Sequence, residues 1–291
     1  MISSIPATAW HAAHTTRSAE PPVLCLHSSS GNHRQWQSLE SVLGDERRVI
    51  APDLLGYGAN PPWRNTARLR LADEVHALRP ALALAGAPVD VVAHSFGAAV
   101  AVQLAIDEPA AVRSLCLYEP VLFGLLRQQP SATRALTEIF MLAGGVESAI
   151  ARGDNQAAAR RFVEFWSGRG AWKAMPKPRR AAIAGRIDKV VADFEAVLAA
   201  DTTPAQLRRL QMPVLCLSGA RSPQAVQRVS ELLAGMLPSA RHVRLADAGH
   251  MGPLTHARET NACIAAHLDS VSANAESYSS AAPTSIGAQA A

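Results

Sequence analysis

The sequence has few cysteines, and their arrangement argues against the common thiol-based sites. There are four, and no two of them form a C-x-x-C pair of the kind that binds structural metals or carries out redox chemistry. Three lie inside short apolar runs, as expected for buried free thiols that pack as small hydrophobic groups: Cys25, Cys116 and Cys216. We therefore expect no metal site, and we predict no other cofactor.

The charged residues are also unlike those of a nucleic-acid-binding protein. Lysine and arginine total 28 against 24 acidic residues, for a formal net charge of +4. The arginine pairs Arg160-Arg161 and Arg179-Arg180 are scattered and are not interleaved with aromatic residues. A nucleic-acid site needs basic residues clustered on one face, so we expect no nucleic-acid partner.

Long apolar runs are absent as well. No stretch approaches the roughly 20 residues that a membrane-spanning helix needs. The first residues, MISSIPATAWHAAH, lack the basic start and the apolar stretch of a secretory signal. These absences predict a soluble, cytoplasmic protein that has no membrane partner.

What the chain does contain is a series of short apolar segments bounded by turn residues. Most of these segments lack strict alternation, which is typical of strands buried on both faces in a parallel sheet. Helical patterns lie between them, for example over 67–86 and 98–109. We predict an α/β fold with a mostly parallel central sheet and helices on both faces, the strands being 21–27, 47–53, 89–94, 112–118, 213–219 and 240–246.

The strand pattern is interrupted once. Over 121–210 only helical patterns occur, and a structureless loop of that length is uncommon in a compact domain. We therefore predict an inserted helical cap there, between a first core part (1–120) and a second (211–270). The remaining residues, 271–291, are small and polar, and we predict that they form a disordered tail.

A candidate nucleophile lies in AHSFG, residues 93–97, between a predicted strand and a helix rich in small residues. A nucleophile elbow, G-x-S-x-G, needs small residues around its serine, and Ala93 replaces the first glycine here. The amides at the start of the helix favour negative charge beside Ser95. The alternative is an ordinary strand–helix turn in which Ser95 is a helix cap.

A serine nucleophile needs a base, and His250 is the candidate. It follows the last predicted strand, in AGHMGP, and precedes an amphipathic helix. A loop at the carboxyl end of a strand reaches the crevice where ligands bind in such sheets. His256 is assigned to the start of the helix, and the alternative for His250 is a solvated loop histidine.

The loop after the first predicted strand, LHSSSG, offers backbone amides among small residues. Together with the amide of Phe96, such donors can stabilise an oxyanion. The alternative is an ordinary polar turn.

Taken together, these segments resemble the α/β-hydrolase superfamily, in its cap-bearing branch. The resemblance covers about residues 20–270 and includes PDLLGYG (52–58) as well as the serine, histidine and loop segments above. It implies the α/β-hydrolase fold, Ser29 and Phe96 as the donors of the oxyanion hole, and a structural role for Asp53. Ser28 departs from the family, which usually has glycine at that position.

The third member of the catalytic triad is missing from its usual place. The resemblance implies an aspartate after the strand 213–219, but Ser222 stands there. Glu119 directly follows the preceding strand, and certain dehalogenases of the superfamily carry the acid at that place. We therefore predict that Glu119 orients His250. The alternatives are Asp247, a cap carboxylate such as Asp193, or a site with no acid, in which case Glu119 caps a helix or forms a surface ion pair.

These residues predict a cofactor-independent serine hydrolase of the carboxylesterase type, acting on a small or medium hydrophobic ester. The alternatives are a carbon–carbon bond hydrolase of ring-cleavage products, or a receptor-like binding protein on the same fold. The partner is a small-molecule ester-like substrate, and the protein is a monomer or homodimer. Aromatic residues of the cap are candidates for the pocket wall, namely Phe140, Phe162, Phe165, Trp166 and Trp172.

Overall fold

A seven-stranded sheet forms the centre of the molecule in the computed structural model, which describes residues 10–12, 20–64, 67–86, 88–127 and 129–280. Its strands are β1 (Trp10–Ala12), β2 (Val23–Leu26), β3 (Val49–Pro52), β4 (Val89–His94), β5 (Val112–Tyr118), β6 (Val214–Gly219) and β7 (Ala240–Leu245). Their order across the sheet is β1-β3-β2-β4-β5-β6-β7.

All neighbouring strands are parallel except β1, which runs antiparallel to β3 at the edge. Every residue of β2, β3, β4 and β6 is buried, which explains why these segments do not alternate between apolar and polar residues. The six predicted strands are confirmed. Strand β1 was not predicted, because its three residues are too few to show a periodic pattern.

Helices cover the sheet and fill the connection between β5 and β6. They are α1 (Gln37–Leu43), α2 (Leu71–Ala85), α3 (Phe96–Asp107), α4 (Gly124–Arg127), α5 (Thr133–Ala151), α6 (Asn155–Ser167), α7 (Ala171–Ala174), α8 (Lys177–Ala184), α9 (Ile187–Ala199), α10 (Pro204–Leu207), α11 (Gln224–Met236), α12 (Gly252–Thr255) and α13 (Ala257–Ser280). In the described part of the chain, none of them is long and apolar enough to cross a membrane.

The core has two layers, one on each face of the sheet. Along β2, Leu24 and Leu26 belong to the larger apolar cluster, whereas Val23 and Cys25 belong to the smaller one. The larger cluster joins α2, α3 and the helices of the cap, and the smaller one joins α1 and α13. Helices therefore pack on both faces of the sheet, as predicted.

Between β5 and β6 the described residues form helices α4–α10 and no strand. This helical insertion is the cap, and its buried residues are continuous with the larger core cluster. The predicted fold class, an α/β sheet with an inserted helical cap, is confirmed.

The prediction of a disordered tail from residue 271 is wrong as far as residue 280, because α13 continues to Ser280. Val271 is buried in the core. The hydroxyl of Ser272 donates to Glu20 and accepts from the guanidinium groups of Arg47 and Arg113 at 3.2 and 3.3 Å. These contacts connect the first residues of the segment to the core and to the chain near β2, β3 and β5. Residues 281–291 lie outside the described residues.

Candidate active site

Ser95 stands on a sharp turn between β4 and α3. Its backbone has φ 57° and ψ −116°, a conformation with positive φ that costs a non-glycine residue free energy and that is found at functional sites. The turn is held by the Ser95 amide, which donates to the Tyr118 carbonyl at 2.9 Å. Gly97 is required because a Cβ there would lie 2.5 Å from the His27 carbonyl oxygen. The turn therefore has the geometry of a nucleophile elbow.

The structure brings Ser95, His250 and Glu119 into one hydrogen-bonded line. The Nε2 atom of His250 lies 3.0 Å from Ser95 Oγ, and its Nδ1 lies 2.7 Å from Glu119 Oε2. All three residues are buried. A carboxylate only accepts, so Nδ1 carries the proton and Nε2 presents its lone pair to the Ser95 hydroxyl. This is the arrangement in which a histidine can act as a general base.

Glu119 is held between two neighbouring strands. It directly follows β5 and has φ 46°, a second non-glycine residue with positive φ at the site. Its backbone amide donates to the Leu217 carbonyl at 2.9 Å, and its Oε1 accepts the Gly219 amide at 2.7 Å. Glu119 thus follows the last residue of β5, and its carboxylate is fixed by a backbone amide at the end of β6.

The other candidate acids do not reach the histidine. Asp247 is exposed and pairs with Arg221. Asp193 is buried and binds elsewhere, and Ser222 is buried with a hydroxyl that has no hydrogen-bond partner within the described residues. Among the described residues, the carboxylate bonded to His250 is that of Glu119.

Three further side chains position the loop that carries His250. None of them was predicted to have this role. His94 Nε2 donates to the His250 carbonyl at 2.8 Å, and the Tyr118 hydroxyl donates to the Gly249 carbonyl at 2.7 Å. The Trp166 ring of the cap lies 4.2 Å from the imidazole of His250, centroid to centroid. Burial, with His250 nearby, holds the pKa of His94 well below its usual value, so His94 is neutral.

Two of these three residues lie in or beside segments that the sequence had already indicated for the site. His94 is a member of AHSFG, and Tyr118 directly precedes Glu119. Trp166 was predicted only as a pocket aromatic, because its stacking on the histidine depends on how the cap folds over the core.

The loop that carries Ser29 is fixed from behind by His27. The Nδ1 of His27 donates to the Ser28 carbonyl at 2.8 Å, and its Nε2 accepts the Leu54 amide at 2.9 Å. The bond accepted at Nε2 requires a neutral ring, and burial lowers the pKa of His27 to about 4. Ser28 is held further by Gln35, whose Oε1 accepts from its amide and its hydroxyl.

The backbone amides of Ser29 and Phe96 are the two predicted oxyanion donors. Within the described residues neither amide donates a hydrogen bond, and both residues line the same cavity as Ser95 and His250. Asp53 lies behind this loop and outside the cavity lining. It accepts the amides of His33 and Ala59 at 2.7 and 2.8 Å, which suits the structural role expected for it.

The profile of the Alpha/beta hydrolase family matches residues 23–262, which is most of the chain. The protein belongs to the alpha/beta hydrolase family.

Relatives of this α/β hydrolase include proteins named as a lipase and as a semialdehyde hydrolase. Lipase LipV of Mycobacterium tuberculosis is 41% identical over 34% of this chain and 36% of its own length. The 2-hydroxymuconate semialdehyde hydrolase of Pseudomonas sp. is 35% identical over 33% of this chain and 35% of its own. These matches thus span about a third of each relative.

Solved structures match over nearly the whole hydrolase. A thermophilic esterase from Thermogutta terrifontis superposes with a TM-score of 0.69 at 22% sequence identity, covering 90% of this chain and 93% of that one. At this level of identity the likeness supports the fold alone.

In this α/β hydrolase the site opens into a cavity of about 450 Å³ between core and cap. A pocket of this size, largely apolar with a few polar groups, suits a small or medium ligand. Two predicted aromatic residues line it, Phe162 and Trp166, whereas Phe140 is exposed and Trp172 lies outside the lining. Phe165 packs on the Trp166 ring at 4.7 Å. Two further aromatic residues of the lining were not predicted, Phe123 and Phe194.

The cavity of the hydrolase also carries positive charge. Arg34, Arg179 and Arg186 line it. Arg186 donates to the Gly58 carbonyl at 2.9 Å, and none of the three forms an ion pair within the described residues. Their charge is therefore available to a ligand.

Glu119→Gln tests which acid orients the histidine. The amide cannot compensate the charge of an imidazolium and favours the wrong tautomer. A comparable change of a triad acid to its amide costs roughly four decades of kcat elsewhere. We expect a loss of at least two decades in kcat on a nitrophenyl ester, with a smaller change in KM.

Asp247→Asn is the matched control, since it removes an exposed carboxylate three positions before His250. It should keep nearly full activity. Introducing Ser222→Asp into Glu119→Gln should restore part of the rate, because it returns a carboxylate to the position usual in the family. Near-wild-type activity of Glu119→Gln would contradict this assignment.

Proposed function

We propose that the protein is a serine hydrolase that cleaves carboxylic esters of small to medium size. The observation that carries this proposal is the line of hydrogen bonds from Glu119 through His250 to Ser95, at 2.7 and 3.0 Å, with Ser95 and His250 lining the cavity between core and cap. A general base within hydrogen-bond reach of a serine hydroxyl, itself oriented by a third group, is the signature of an activated nucleophile.

In the acylation half-reaction, Ser95 Oγ attacks the ester carbonyl carbon while its proton passes to Nε2 of His250. Glu119 stabilises the imidazolium that forms. The carbonyl oxygen becomes an oxyanion, for which the amides of Ser29 and Phe96 are the proposed donors. Collapse of the tetrahedral intermediate breaks the bond to the alcohol oxygen, which takes the proton from His250 and leaves.

In the deacylation half-reaction, water attacks the acyl group now bound to Ser95. His250 takes the water's proton and then returns it to Ser95 Oγ as the acid is released. The balance is one ester and one water consumed, one alcohol and one acid formed, with no redox change. No cofactor is required by these steps.

The cavity favours substrates with a hydrophobic part. Its walls include Phe162, Trp166 and Phe194 from the cap. The similarity to a protein named as a lipase supports ester hydrolysis.

A carbon–carbon bond hydrolase is the second candidate. The observation that favours it is the similarity to a protein named 2-hydroxymuconate semialdehyde hydrolase. The same serine and histidine can act on a diketone-like substrate. Turnover across a series of nitrophenyl esters would favour the esterase, whereas turnover of vinylogous 1,5-diketones alone would favour this alternative.

Ser95→Ala is the direct test of the nucleophile. Wild-type protein should react with a fluorophosphonate and should hydrolyse nitrophenyl esters. The variant should lose both, because no other hydroxyl is bonded to His250 among the described residues. The melting temperature should stay close to that of wild type, since the change removes one hydroxyl.

Labelling that persists at another serine in Ser95→Ala would contradict the proposal. A ligand that binds wild-type protein in the cavity without turnover, and no labelling of Ser95, would indicate a receptor-like binding protein instead.

The charge on the cavity wall predicts a preference within the esters. The mono-nitrophenyl ester of glutaric acid and the nitrophenyl ester of valeric acid have acyl chains of equal length, but the first ends in a carboxylate. We expect the glutarate ester to have a KM lower by about threefold to tenfold at low ionic strength, because attraction between solvent-accessible charges is worth roughly 1 kcal/mol.

Added salt should reduce this difference, because it screens exposed charges. Arg186→Gln should reduce it as well, without changing the KM of the valerate ester to the same extent. An equal KM for the two esters at all salt concentrations would refute the predicted preference.

A further inference from the structure

Three ionisable side chains are buried together where the cap meets the core. Glu74 lies on α2 of the core, and Lys189 and Asp193 lie one turn apart on α9 of the cap. Their exposed fractions are 0%, 1% and 3%. Lys189 Nζ donates to Glu74 Oε1 at 3.0 Å and to Asp193 Oδ1. We call these three residues the buried ion cluster.

Lys189 keeps its charge within the buried ion cluster, whereas burial raises the pKa of the Glu74 and Asp193 carboxyls. Burial lowers the pKa of Lys189, but attraction to Asp193 and Glu74 outweighs this effect and raises it. The ammonium group also lies 4.7 Å from the ring centroid of Tyr57 and 4.8 Å from that of Phe96. Burying charges costs free energy, so a buried ion pair is weak evidence for a stabilising role. A role at the adjacent site is the better explanation for this cluster.

The second oxygen of Asp193 connects the buried ion cluster to the loop after β2. Asp193 Oδ2 accepts the hydroxyl of Ser29 at 2.6 Å and the hydroxyl of Tyr57 at 2.6 Å. Ser29 is one proposed oxyanion donor, and the ring of Phe96, the other, faces Lys189. The two residues that supply the proposed oxyanion hole therefore both contact one ion pair of the cap.

The hydroxyls of the two neighbouring serines, Ser28 and Ser30, do not bind Asp193. Ser28 Oγ donates to Gln35 at 3.1 Å, and Ser30 Oγ is buried with no hydrogen-bond partner among the described residues. Of the three serines in the loop, Ser29 is the one bonded to Asp193. Its hydroxyl thus holds the loop to the cap.

We propose that Asp193 is a positioning residue for the oxyanion hole. Fixed by Lys189, it binds the hydroxyl of Ser29 and so orients the amide of the same residue towards the cavity. This inference rests on the proposed serine-hydrolase function. It makes the cap a part of the catalytic apparatus, since a displacement of α9 would move an oxyanion donor.

The distinguishing experiment compares Ser29→Ala with Ser30→Ala. Both remove one hydroxyl from the same loop, and both leave every backbone amide and the buried ion cluster in place. Losing a donor outright costs about two to three decades in kcat, and here the donor stays but is less well held. We expect Ser29→Ala to lose about tenfold in kcat relative to Ser30→Ala, with little change in KM.

Three further variants test whether the effect depends on Asp193. Asp193→Asn should lower kcat. The double variant with Ser29→Ala should lose little more than the worse single variant, because both substitutions act on the same Ser29–Asp193 hydrogen bond. Ser29→Thr retains a hydroxyl and should recover part of the rate lost in Ser29→Ala. If Asp193→Asn fails to fold, the comparison of the Ser29 and Ser30 variants still decides the question.

An oxyanion-specific measurement separates positioning from general destabilisation. A trifluoromethyl ketone forms a tetrahedral oxyanion adduct with a serine, so its affinity should fall in parallel with kcat across the variants. The melting temperature of Ser29→Ala should not follow this trend.

Equal kcat for Ser29→Ala and Ser30→Ala, multiplicative losses in the double variant, or unchanged ketone affinity would each overturn the inference. If one of these results were obtained but Ser95→Ala still abolished turnover, the proposed function would remain valid and only the role of Asp193 would be refuted. Absence of wild-type turnover and of Ser95 labelling would overturn both.

Discussion

The hydrogen bond from the imidazole of His250 to the carboxylate of Glu119 is the interaction on which the rest of the site depends. Because the carboxylate accepts the Nδ1 proton, Nε2 is left to face the hydroxyl of Ser95. The second oxygen of Glu119 accepts the Gly219 amide at the end of β6. An acid that directly follows β5 is thus fixed by the next strand and bonds to His250, although position 222 carries a serine and no carboxylate.

Two further features surround the hydrogen bond between His250 and Glu119: unusual backbone conformations and contacts from the cap. Ser95 and Glu119 each have positive φ, and the ordered sheet around them maintains both conformations. From the cap, Trp166 packs on the imidazole and Asp193 binds the Ser29 hydroxyl. The core strands therefore carry the proposed triad, while the cap contacts both the base and the oxyanion loop.

Features that depend on local sequence patterns, such as the buried strands, could be predicted from the sequence. Buried strands have continuous apolar runs, and Ser95 and Glu119 each lie directly beyond one. The buried ion cluster was not predicted, because Glu74 and Lys189 are 115 positions apart and each has the pattern of a polar helix residue. The helical continuation beyond residue 270 was missed for a similar reason: its contacts are made by Val271 and Ser272 with distant parts of the chain.

In the proposed mechanism, Ser95 becomes covalently acylated during turnover. Rapid mixing of the protein with a nitrophenyl ester, followed by acid quench and peptide mass mapping, measures this directly. We expect a stoichiometric burst of nitrophenol and an acyl group on the peptide that contains Ser95, both absent in Ser95→Ala. Turnover without any acylated peptide, or with the acyl group on another residue, would contradict it.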